Sequence, residues 1–151
     1  MHPSLLRGLR TRSPVIRRHW ESLLRIEPVN GPLANPDTMV NLIPQSLEEI
    51  LTAAARPPHS AHSVPAPRDG LPDCHCGYNP YLAFFIAAEQ ALVEAAVLIQ
   101  ADLPPHERQQ GDVLKLKSVV RHLARADIDA FCGICTHRGT ARGCSHLVAA
   151  H

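Results

Sequence analysis

The sequence predicts an all-α protein, an antiparallel bundle of about four helices with a cysteine metal clip at one end. Three observations carry this. Aromatic residues make up only 4% of a chain that is 45% apolar, so the core is expected to be aliphatic and Ala-rich, which favours helices over a sheet. A Ser-Pro or Asn-Pro pair recurs at Ser13-Pro14, Asn35-Pro36 and Asn79-Pro80, each a cap followed by a first-turn proline. Two long helical patterns of matched length, joined by Pro104-Pro105, are bracketed by the paired cysteines Cys74/Cys76 and Cys132/Cys135.

Residues 1–12 read as a basic, flexible arm, and 13–151 as a single helical domain. The first helix is expected over Pro14–Glu27, with Ile16, Trp20, Leu23 and Leu24 on its inner face. A lone Trp at such a position anchors a helix on the core. The second helix is expected as two pieces, Pro36–Ile43 and Leu47–Arg56, kinked at Pro44 because proline lacks an N–H and clashes with the preceding turn. Ser46 and Glu49 have capping-box spacing, and Leu47, Ile50, Leu51 and Ala54 form the inner face. Residues 57–73 hold five prolines and read as a surface loop, in which His59 and His62 are solvated.

The third helix, Pro80–Leu103, is apolar nearly all round and belongs at the centre of the bundle. Glu89 and Glu94 lie five apart and do not share a face cleanly, and no Glu-x-x-His accompanies them, which argues against a ferritin-type di-iron site. Glu89, Gln90 and Glu94 also interrupt it as a membrane span. The fourth helix, Glu107–Phe131, turns Val113, Leu116, Val120 and Leu123 inward; Ser118, Arg121, His122, Arg125 and Asp129 form a solvated polar stripe.

Both long helices span about 36–38 Å at 1.5 Å per residue. In an antiparallel hairpin their open end gathers Cys74, Cys76, Cys132 and Cys135, with Gly77 and Gly133 allowing tight turns around the sulfurs. Four thiolates suit a closed tetrahedral zinc site, which is structural. Cys144 and His146 are alternate ligands in a local C-x2-C-x8-C-x-H set, with His75 and His137 as further donors. An iron–sulfur cluster is the alternative cofactor. In the corresponding redox-sensor reading Cys144 is the resolving thiol; unmetallated, partly buried thiols are the remaining alternative.

Paired cysteines without a secretory signal point to a reducing, cytoplasmic setting; the opening segment is Arg-rich and acid-free, as transit peptides are, but it runs straight into a helical pattern. Six Arg against Glu21 alone in residues 1–25 leave a basic end, but a net charge of +1 gives no global field for nucleic acid, and no recognised motif contains these arginines. No phosphate loop, nucleophile elbow, H-E-x-x-H or catalytic carboxylate pair is present, and no general base accompanies an open three-ligand zinc site at Cys132, Cys135 and His146. The expectation is a non-enzymatic regulatory or interaction module with a protein partner or a homodimeric state.

Overall fold

A computed structural model describes residues 1–26, 35–56 and 79–134; all secondary structure among them is helical. In chain order the helices are α1 (Pro3–Thr11), α2 (Ser13–Ile26), α3 (Pro36–Met39), α4 (Ile43–Ala55), α5 (Pro80–Asp102) and α6 (Gln110–Ile134). The all-α class holds. The helix number exceeds the expected four, because the N-terminal segment is helical and the second helix is divided.

The flexible arm expected over residues 1–12 is instead α1. Its reason is visible in retrospect: Leu5 and Leu9, one turn apart, are fully buried, so the arginines occupy only the outer face. Pro3 stands in the first turn and the His2 ring accepts the Ser4 N–H. The His2 N–H donates to Asp112 Oδ2 at 2.8 Å, tying the start of α1 to α6 through a carboxylate that is itself buried. Arg12 alone joins α1 to α2; its carbonyl accepts from Val15 and Ile16, and its guanidinium pairs with Asp102 at 2.9 Å.

Gly8 sits where α1 crosses α5. A Cβ there would stand 2.7 Å from Ile99 Cγ2, and Ile99 is a buried β-branched side chain with little room to yield. Gly8→Val should therefore destabilise by about 1–3 kcal/mol through overpacking. Gly8→Ala should cost less, because better helix propensity returns up to about 1 kcal/mol. Urea denaturation of both variants measures the difference; equal stabilities would show that α1 does not approach α5 this closely.

Asn35 caps α3 as expected, accepting the Asp37 N–H at 3.0 Å. The break in this region falls earlier than Pro44. One turn of 3-10 helix, Val40–Leu42, separates α3 from α4, and Pro44 lies in the first turn of α4. A first-turn N–H has no intrahelical acceptor, so proline is tolerated there without a kink. Ser46 is thus inside the helix, and the capping box does not form; Glu49 instead accepts from Gln45 Nε2 at 2.9 Å. The expected inner face, Leu47, Ile50, Leu51 and Ala54, is buried.

α5, 23 residues long, lies against α1, α2 and α6. Among the described helices it is the one long and apolar enough to cross a membrane, and here three neighbours pack on it. The link to α6 is longer than Pro104-Pro105: a 3-10 turn spans Pro105–Glu107, and Arg108 binds the α5 C-terminal carbonyls, its Nε to Leu103 O at 2.7 Å and its Nη2 to Ala101 O at 3.1 Å. α6 begins at Gln110, later than expected, and runs past Phe131 to Ile134. Its buried line is Asp112, Leu116, Val120, Ala124, Ile128 and Cys132, a strict four-residue spacing. At 23 and 25 residues the two helices are each about 35–37 Å long, so their ends coincide.

The aliphatic core expected from composition is only half of what is found. Five of the six aromatic residues, Trp20, Tyr81, Phe84, Phe85 and Phe131, form one cluster at the start of α5. Trp20 anchors α2 there, its ring centroid 4.8 Å from that of Phe84.

Candidate functional site

The start of α5 and the end of α6 do lie side by side, and Asn79 joins them. Asn79 is the N-cap of α5, its Oδ1 accepting the Tyr81 N–H at 3.0 Å. Its Nδ2 donates to Ile128 O at 3.2 Å and to Cys132 Sγ at 3.5 Å. This one residue, 5% exposed, thus satisfies a helix end through its carbonyl oxygen and bridges two helices through both amide hydrogens. The aromatic cluster begins two residues later, at Tyr81.

Of the candidate ligands, Cys132 alone falls within the described residues. Cys74, Cys76, Cys135, Cys144 and His146 lie outside them, as do His75, His137 and the 57–73 loop with His59 and His62. Cys132 is fully buried on the core face of α6. The tight turn expected at Gly133 is not formed, because α6 continues through Cys132-Gly133-Ile134. Among the described residues no group of three or more His, Cys, Asp or Glu side chains gathers as a metal site would require.

A second feature was missed in the sequence. Glu89, read in the sequence only as an interruption of the apolar third helix, and Arg121, read as part of a solvated stripe, form a bidentate pair across α5 and α6: Arg121 Nε to Oε2 at 2.8 Å and Nη2 to Oε1 at 3.0 Å. Lys117 Nζ adds a third contact at 3.4 Å to Oε1. Burial pushes the Glu89 carboxyl up, but its contacts with Arg121 and Lys117 outweigh that and leave it below the usual carboxylate range. The signal was available only as a level match: α5 and α6 run antiparallel, so residues whose numbers sum to about the same value face each other, as Gln100 and Gln109 do through a 2.8 Å hydrogen bond. Glu94 turns the other way, toward His19 on α2 at 2.6 Å.

The Glu89 cluster floors a surface groove of about 340 Å³, walled by Ile86, Gln90 and Val93 on α5 and by Lys117 and Arg121 on α6. Val97 and Leu114, about half and two-thirds exposed, lie at neighbouring levels of the same two helices. Compared with known proteins, the chain matches no family model, no curated relative and no solved structure.

Proposed function

We propose that this chain is a non-enzymatic helical interaction module whose α5/α6 hairpin is closed at its open end by a metal, most simply zinc, held by Cys74, Cys76, Cys132 and Cys135. The observation that supports it is the Asn79–Cys132 contact, which brings the two chain segments that carry the cysteines to hydrogen-bond distance. In the sequence Cys76 precedes Asn79 by three residues and Cys135 follows Cys132 by three. A metal there would fasten both helix ends where their terminal N–H and C=O groups are least satisfied. The Asn79 amide, already donating to Cys132 Sγ, would orient that ligand as outer hydrogen bonds do in metal sites.

Full burial of Cys132 argues against a thiol-exchange sensor operating at that sulfur, because exchange needs an accessible thiolate. The iron–sulfur alternative separates from zinc spectroscopically. Protein purified without added metal should contain one zinc per chain and show no visible absorbance, and chelation should lower its melting temperature. Iron with broad absorbance near about 400 nm, as thiolate-bound clusters give, would transfer the reading to a redox protein. A well-folded chain with no metal would end the clip proposal.

A further inference from the structure

We draw no further inference here: the strongest candidate, the partly apolar groove between α5 and α6 lined by Ile86, Val93, Lys117 and Arg121, carries nothing, because nothing in the structure shows what covers it.

Discussion

Trp20→Ala is expected to lower stability by about 3–5 kcal/mol, the range for truncating a large buried aromatic. That is a large share of the roughly 5–15 kcal/mol by which a domain is stable. Three contributions combine. The ring is fully buried, so its apolar surface returns to water. It stacks at a tilt on Phe84, which in turn meets Phe85 edge-to-face at 5.3 Å, so truncation also removes an aromatic pair. The indole Nε1 also donates to Phe84 O at 3.0 Å, clamping α2 to α5 at that point. Trp20→Phe keeps most of the packing and gives up the hydrogen bond, and should cost about 1–2 kcal/mol. Since Trp20 is the sole Trp, both variants should be followed by circular dichroism in urea rather than by fluorescence. A loss below about 1 kcal/mol for Trp20→Ala would mean that α2 does not depend on this anchor.

Asn79 gives the next largest effect, and it separates into two parts. Asn79→Ala removes the α5 cap, worth about 1 kcal/mol, together with the bridge to α6. The bridge is worth about another 1–2 kcal/mol, since Ile128 O keeps its partner within the helix while the direct link between the helix ends is lost. The expected total is about 2–3 kcal/mol. Asn79→Ser keeps an acceptor for the Tyr81 N–H but is too short and has no amide to reach Ile128 or Cys132. It should therefore show only the bridge contribution. Hydrogen exchange sharpens the distinction: Asn79→Ser should raise exchange in the last turns of α6 while leaving the first turn of α5 protected. Faster exchange confined to α5 would show that the bridge carries nothing.

The long helices were legible because their signals are local. The Asn79-Pro80 cap sets the start of α5, and the buried face of α4 follows from a 3.6-residue repeat that needs no neighbour to interpret it. The failures share a cause. α1 was hidden because counting arginines says nothing about which face they occupy. Pro44 was read as a kink because its effect depends on whether it falls in the first turn or beyond it, and that is settled by where α3 ends. The coincidence of helix ends was predicted from length alone, and Asn79 beside Cys132 agrees with it. The turn at Gly133 was not found, since a glycine permits a turn without requiring one.

By itself, then, the sequence determined the all-α class, the α5/α6 pair and its register to within about a turn, because helix propensity, capping and length are properties of contiguous residues. Only the tertiary structure decided that α1 packs through Gly8 on Ile99, that the aromatics gather at the start of α5, and that Glu89 faces Arg121 and Lys117 rather than Glu94's partner His19. Each of these depends on how helices rotate about their own axes when they meet. That rotation is set by the packing of side chains far apart in the chain, which no local pattern records.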